Sequence, residues 1–555
     1  MAPDNSIAPS NYSELLKCVE IDDRESPANA GDWRKEVGEF LGLSDPAAMR
    51  LSDMTRWKIG PRMASPSGSK LMYEHFLHLR AFVQNHRPFE FDLHQFVDDQ
   101  YATAASRLLE KGAWEDFDHY RRSVGNSDPD IRILGQFASA KVDQNHVLID
   151  AYGGNGLGHD GEEKQFVGGT HEDSEETPSR RASTRFLPMK PDYRSPPGDC
   201  DAADEAIVNK AMAGFASILT RPFTKEFARA PDSPSRTQVE LEPTYDQVRT
   251  GLARWTIERN RFHIKERRRE NDTRQARAVT DAKCKPGQHF KILETQTDGH
   301  LYSLYETLAL MEVKRRTRYK SAVGWKTIEW QETAEIFAWQ NNCLRTEQEQ
   351  GKMDVSRRFL KPPTESNRKR CLLVSQDREE CFIIIGEFDA YWEYYCVEGL
   401  LPNITSGPSA LSTKLGDLYL GNEVLKGAEH SKGTERLKRD GGGGAERLQG
   451  DETLKHYGLD GCPVPGPDDG FLAVHVYGPF LTTNQDHMVA LSANLLGMTM
   501  HLAGVTRETL GYFEQKARSS VKEYKAGRTS SGSSGSGTSQ GSEDSLWVQR
   551  STLFS

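Results

Sequence analysis

The sequence predicts an α/β protein, with strand hairpins and helices that pack on them. Three observations predict it. Short β-rich runs come in pairs around polar breaks, as in "HLYSLY" and "LALMEV" within residues 297 to 316, and again in "CLLVS" and "CFIIIG" around "QDREE". One-sided apolar stripes at helical spacing stand before and between these pairs. At 555 residues the chain exceeds what one small core organises, so two ordered bodies joined by loose stretches are expected.

The first body, residues 1–152, reads as mostly helical. "SKLMYEHFLHLRAFVQNH" spaces Leu71, Phe76, Leu77, Leu79 and Phe82 for one buried face, and "DQYATAASRLLEKGAWEDFDHYRR" continues the pattern before Gly125. Residues 153–198 are rich in Gly, Ser, Pro and acidic groups, too poor in apolar content to offset ordering entropy, and read as a disordered linker. Its "GGNGLG" lacks the spacing and the following helix of a phosphate loop. Order resumes in a second body, residues 199–515. In "DEAIVNKAMAGFASILTRPF" Ile207, Ala211, Phe215 and Ile218 or Leu219 share a face, with Asp201 or Asp204 as cap. A glycine-broken insertion at about 426–455 and a Gly/Ser-rich tail over 516–555 are read as flexible. The helix "DHMVALSANLLGMTMHLAG" is expected to start at an Asn484 cap and stop at Gly504.

The net charge of −10 argues against coating nucleic acid through global positive charge, so any nucleic-acid site must be local. The eight cysteines contain no C-x-x-C pair, which disfavours a zinc ribbon or a disulfide framework. Nowhere do about 18 uncharged apolar residues run together, and an intracellular protein is expected.

The chemistry concentrates between residues 294 and 342. In the first hairpin Leu308, Leu310, Glu312 and Lys314 are expected on one strand face, with Ala309, Met311 and Val313 on the other. A carboxylate and an ammonium emerging together from the end of a core strand are costly to desolvate unless they pair or hold something. A hairpin folding back brings Asp298 beside Glu312. Two carboxylates at one point attract a hard divalent cation, Mg²⁺ or Mn²⁺. The lysine can then orient or deprotonate an attacking water and offset charge developing at phosphorus. Arg315, Arg316, Arg318 and Lys320 follow at once and are candidates for contacts to a phosphate backbone. Next, "KTIEWQETAEIFAWQNN" reads as a helix capped by Thr327, with Trp330, Ala334, Phe337 and Ala338 on the sheet side. Gln331 lies beside that stripe, within reach of the carboxylates.

This order of elements, with Asp298 before Glu-x-Lys (Glu312, Lys314) and a helix carrying Gln331, resembles the PD-(D/E)xK nuclease-like superfamily. More narrowly, "TDGHL…LALMEVKR", "WQETAEIFAWQ", "LLVSQDREECFIIIGEFDAYWEYY" and "YGPFLTTNQDHMVALSANLLG" are similar to a fungal lineage of it. The resemblance spans roughly residues 203 to 505. It implies a restriction-endonuclease-like core, a mixed central sheet flanked by helices, and a Mg²⁺- or Mn²⁺-dependent nuclease acting on nucleic acid, DNA ahead of RNA. It implies Asp298 and Glu312 as metal ligands, Lys314 as the catalytic lysine, Gln331 as the helix glutamine and Glu205 as an additional carboxylate. Thr297 replaces the proline of the motif. The superfamily also contains binding and assembly proteins, so an inactive interaction protein is the alternative.

Other features read as structural. "KERRRE" (265 to 270) and "NRKR" (367 to 370) suit solvated faces or loops. His475, His487 and His501 match no metal-ligand spacing, and "FDAYWEYY" (388 to 395) suits core packing better than base stacking.

Overall fold

The computed structural model describes residues 24–43, 45–46, 49–56, 71–126, 129–152, 200–225, 253–267, 289–303, 306–314, 318, 325–350, 358–364, 366–402 and 468–531. The helices, in chain order, are α1 (Ala30–Phe40), α2 (Tyr73–Leu77), α3 (Asp99–Leu108), α4 (Glu115–Ser123), α5 (Ala138–Tyr152), α6 (Cys200–Lys225), α7 (Trp325–Gln350), α8 (Ala390–Glu398), α9 (Gln485–Ala503) and α10 (Arg507–Ser531). The strands are β1 (Ala81–His86), β2 (Arg254–Thr256), β3 (Arg261–Arg267), β4 (His289–Gln296), β5 (Gly299–Ser303), β6 (Glu306–Lys314), β7 (Lys369–Asp377), β8 (Glu380–Phe388) and β9 (Leu472–Leu481).

Seven strands form one mixed sheet in the order β1-β9-β8-β7-β6-β5-β2, while β3 and β4 make a separate antiparallel pair. Both hairpins expected from the sequence are present, β5 with β6 and β7 with β8. Between them α7 carries the chain across so that β7 runs parallel to β6, with Glu312 beside Ser375 and Lys314 beside Asp377. A parallel neighbour requires such a crossover, and the apolar stripe of α7 (Trp330, Ala334, Phe337, Ala338) is what packs it onto the sheet.

Alternation along the central strands sorts their side chains to two cores. Leu372, Val374, Ile383 and Ile385 face α3, α6 and α9, and Leu373, Phe382 and Ile384 face α7, α8 and the N-terminal helices. Helices thus cover both faces, and the middle strands are apolar on both sides.

Several expectations need correction. The stretch 69–86 is not one helix: α2 ends at Leu77 and β1 starts at Ala81, the turn passing through Arg80 at φ 49°. Because β1 pairs in parallel with β9, the described N-terminal residues share the sheet and cores of the rest and, among the described residues, form no separate helical body. Asp201, Asp204 and Thr327 lie inside α6 and α7. The tail does not begin at 516, since α10 extends to Ser531. Leu308 sits with Ala309 and Met311 in one core, because β6 advances two residues against one of β5 between Ala309 and Thr307, a bulge that interrupts alternation there. Asn484 and Gly504 cap α9 as expected; the Asn484 side chain accepts from the His487 N–H, and Gly504 takes the left-handed conformation. "FDAYWEYY" is core, with Trp392 and Tyr395 fully buried. The linker 153–198, the insertion at 426–455 and the tail beyond 531 lie outside the described residues. Among the described residues no helix is long and apolar enough to cross a membrane.

Candidate functional site: a buried carboxylate and lysine cluster

Asp298 occupies the two-residue link between β4 and β5, and its placement is over-determined. Thr297 N–H donates to the Asn260 carbonyl at 3.0 Å, and Asn209 on α6 donates from Nδ2 to the Asp298 carbonyl at 2.9 Å. Gly299 follows because β5 runs tightly against β2: a Cβ there would collide with the Thr256 carbonyl oxygen. The pairing of Gly299 with Met311 and His300 with Leu310, continued by one residue, sets Asp298 opposite Glu312. Opposite residues of an antiparallel pair point to the same face. Asp298 is accordingly buried, and its Oδ2 accepts from Val313 N–H, between Glu312 and Lys314, at 3.2 Å.

Glu312, Lys314 and Gln331 meet as expected. Lys314 Nζ donates to Glu312 Oε1, forming an ion pair on the face of β6 turned to α7. Gln331 on α7 donates from Nε2 to Glu312 Oε1 at 2.8 Å and to Glu335 Oε1 at 2.8 Å. Glu335, one helical turn beyond Gln331, is fully buried. The second oxygens of Glu312 and Glu335 are buried without a hydrogen-bond partner.

The electrostatics follow from this crowding. Burial, with Asp298 adding repulsion, pushes the Glu312 carboxyl up to about 8 against the pull of Lys314. Glu335 is raised well above the usual carboxylate range by burial and by Glu312. Burial alone would lower the Lys314 ammonium, but Glu312 and Glu335 together more than reverse this and raise it. Asp298 is raised by burial, opposed by Lys314, Arg259 and the Val313 N–H.

Glu205, on α6, also comes to the cluster. Arg259, in the β2–β3 loop, places Nη2 3.0 Å from Asp298 Oδ1 and 3.6 Å from Glu205 Oε1. Burial and then Asp298 raise Glu205. The five predicted residues Asp298, Glu312, Lys314, Gln331 and Glu205 therefore form one continuous group drawn from four segments of the chain.

The predicted phosphate contacts fare differently. Arg315, Arg316 and Lys320 lie outside the described residues. Arg318 is fully buried and offers nothing to a phosphate backbone: Nε donates to Asp377 Oδ2 at 2.8 Å, Nη2 pairs with Glu332, and the guanidinium lies over the Phe382 ring, 4.1 Å from its centroid. Its role is to neutralise two carboxylates that α7 and β7 bury side by side. The basic stretch at 367 to 370 is also neutralised, Arg368 and Arg370 by Glu387 and Lys369 by Glu393. The three histidines are structural: His501 Nε2 lies 3.0 Å from the Phe359 carbonyl, His487 Nδ1 accepts from Leu481 N–H, and His475 pairs with His86.

Sequence reasoning missed Glu335 and Arg259. The first was within reach of it, since Gln331 and Glu335 stand four apart on one helix face. Nothing local marks Arg259.

Comparison of the chain with family models, with curated proteins and with solved structures finds no match in any of the three.

Proposed function

We propose that the chain is a metal-dependent nuclease of restriction-endonuclease-like fold, hydrolysing phosphodiester bonds of nucleic acid, DNA ahead of RNA. The supporting frame is α6, the antiparallel strands β2, β5 and β6 with the separate β3–β4 pair inserted between β2 and β5, the crossover helix α7 and the parallel strand β7. The single observation that carries the reading is Gln331 Nε2 at 2.8 Å from Glu312 Oε1 while Lys314 binds the same oxygen and Asp298 lies alongside. Surface Glu-x-Lys pairs kept for solubility do not bury a carboxylate and do not recruit a helix glutamine.

Donor chemistry fits Mg²⁺ or Mn²⁺, since the available ligands are carboxylate oxygens and Glu312 Oε2 is buried with no hydrogen-bond partner. Asp298 and Glu312 are the residues that would hold the ion, with Glu205 beside them. Bound there, the ion would polarise the phosphate and acidify a water. Lys314, held as an ammonium by its carboxylate neighbours, positions a water or phosphate oxygen and offsets developing negative charge. Gln331 fixes the orientation of the Glu312 carboxylate and keeps one side of it bonded to the helix.

One observation favours a second reading, a nuclease-fold interaction protein without catalysis. Among the described residues no group of three or more His, Cys, Asp or Glu side chains is arranged to hold a metal ion, and Lys314 and Arg259 already neutralise the carboxylates. The two readings separate in one experiment. Purified protein with Mg²⁺ or Mn²⁺ is assayed on DNA and RNA beside Glu312→Ala/Lys314→Ala, with metal binding followed by calorimetry. Cleavage lost in the double variant supports the nuclease. No cleavage above the variant and no metal binding removes it.

A further inference from the structure

We infer that Arg259 is a substrate-binding residue that grips a backbone phosphate of the nucleic acid, an inference that rests on the nuclease reading. An acidic centre repels a phosphodiester unless cations stand at its rim. Here Glu205, Asp298, Glu312 and Glu335 face only two described cations, Lys314 and Arg259. Lys314 is committed to Glu312, and Arg318 is sealed in the core. Arg259 is the described cation of this cluster whose side chain is half exposed.

Its backbone is fixed while half of its side chain is exposed. The loop carrying Arg259 is fastened on both sides to the segment that carries Asp298: Asn260 O accepts from Thr297 N–H at 3.0 Å, and the Glu258 carbonyl lies 3.0 Å from His300 Nδ1. Asn260 Nδ2 also donates to Thr307 Oγ1 at 3.2 Å. The guanidinium is thereby delivered to the edge of the cluster with little backbone freedom. Both of its contacts run through Nη2, which leaves the Nε and Nη1 donors for a ligand. A planar fork of free N–H groups matches two oxygens of a phosphate. Asp298 is buried, so the guanidinium keeps its Nη2 contact there while its half-exposed remainder meets the phosphate oxygens.

The test uses the full chain, a short fluorescein-labelled duplex DNA and EDTA to prevent cleavage, with affinity read by anisotropy across a salt series. Arg259→Gln is expected to weaken binding about tenfold and to lower the salt slope by about 0.9, the value of one lost phosphate contact. Arg259→Lys should keep the slope and lose part of the affinity, because a point charge survives but the fork does not. Arg132→Gln, at an exposed residue elsewhere, controls for nonspecific charge and should leave the slope unchanged. If Arg259→Gln and wild type bind with equal affinity and slope, the inference is overturned while the nuclease reading stands. If wild type itself binds no DNA, the nucleic-acid reading fails and takes the inference with it. Thermal melting of each variant identifies a merely structural loss, which would also overturn it.

Discussion

Gln331 on α7 and Glu312 on β6 are joined at 2.8 Å, and the same amide nitrogen reaches Glu335 at 2.8 Å, so one side chain ties the crossover helix to the strand that carries the candidate chemistry. A neutral amide is the group that can donate to two buried carboxylates without adding a charge. Gln331→Ala would leave an oxygen of Glu335 bare and Glu312 held by Lys314 alone. The expected result is a loss of roughly 1–3 kcal/mol, the cost of stranding buried acceptors, together with a fall in any nuclease rate larger than the stability loss accounts for. Urea midpoints and initial rates measured at a temperature where both proteins are folded would check this. An unchanged rate would remove Gln331 from the site.

Gly299 tests how the carboxylates are set side by side. Its missing Cβ is what lets β5 pass the Thr256 carbonyl, and Asp298 is the residue immediately before it. Gly299→Ala should push β5 from β2 and carry the Asp298 carboxylate off the Val313 N–H. The expected outcome is destabilisation of about 1–3 kcal/mol, as for an overpacked core, and weaker Mn²⁺ binding in calorimetry. Wild-type metal affinity in a folded Gly299→Ala protein would show that the close approach does not position Asp298.

The sequence displays the parts of this site that local periodicity controls. Alternation places Glu312 and Lys314 on one face, and a helical stripe places Gln331 beside the residues that meet the sheet. What it hides is set by tertiary pairing. Arg318 follows two arginines and reads as surface, yet its partners Glu332 and Asp377 lie on other elements and only the fold brings them to it. The strand Ala81–His86 was obscured because it follows α2 after a turn through Arg80, and the apolar residues on both sides continue a spacing that suits a helix. Arg80 can hold that turn because its buried guanidinium donates to the Gly470 carbonyl at 2.9 Å and lies against Trp33 and Phe471, contacts with chain segments far away in sequence.

Arg318 and Arg259 predict opposite phenotypes from the same kind of residue. Arg318→Met removes the cation between Glu332 and Asp377, both fully buried, and breaking such a cluster from one side costs about 3–5 kcal/mol. Urea denaturation should register that loss. The folded fraction should bind DNA with the wild-type salt slope, since a side chain with no exposure touches no phosphate. A slope lowered in Arg318→Met would reverse this assignment.

His475 makes stability depend on pH. Burial lowers its pKa to about 4, with His86, Arg370 and Arg368 adding to the effect and Glu387 opposing it. Its imidazole lies 3.3 Å from His86, whose ring stacks on Tyr477. The unfolded chain protonates this side chain near 6.5, whereas the folded chain resists until about 4. Between those values the unfolded state binds more protons, so stability rises with pH. The contribution is fully present above about 6.5, is lost progressively as pH falls, and is gone below about 4. Its upper bound is about 3.5 kcal/mol, taking roughly 1.4 kcal/mol for each pH unit of difference. His475→Gln should therefore flatten the dependence of unfolding free energy on pH across this window, with little change in slope above pH 7. Equal slopes in wild type and variant between pH 4 and 6.5 would mean that His475 is not the group responsible.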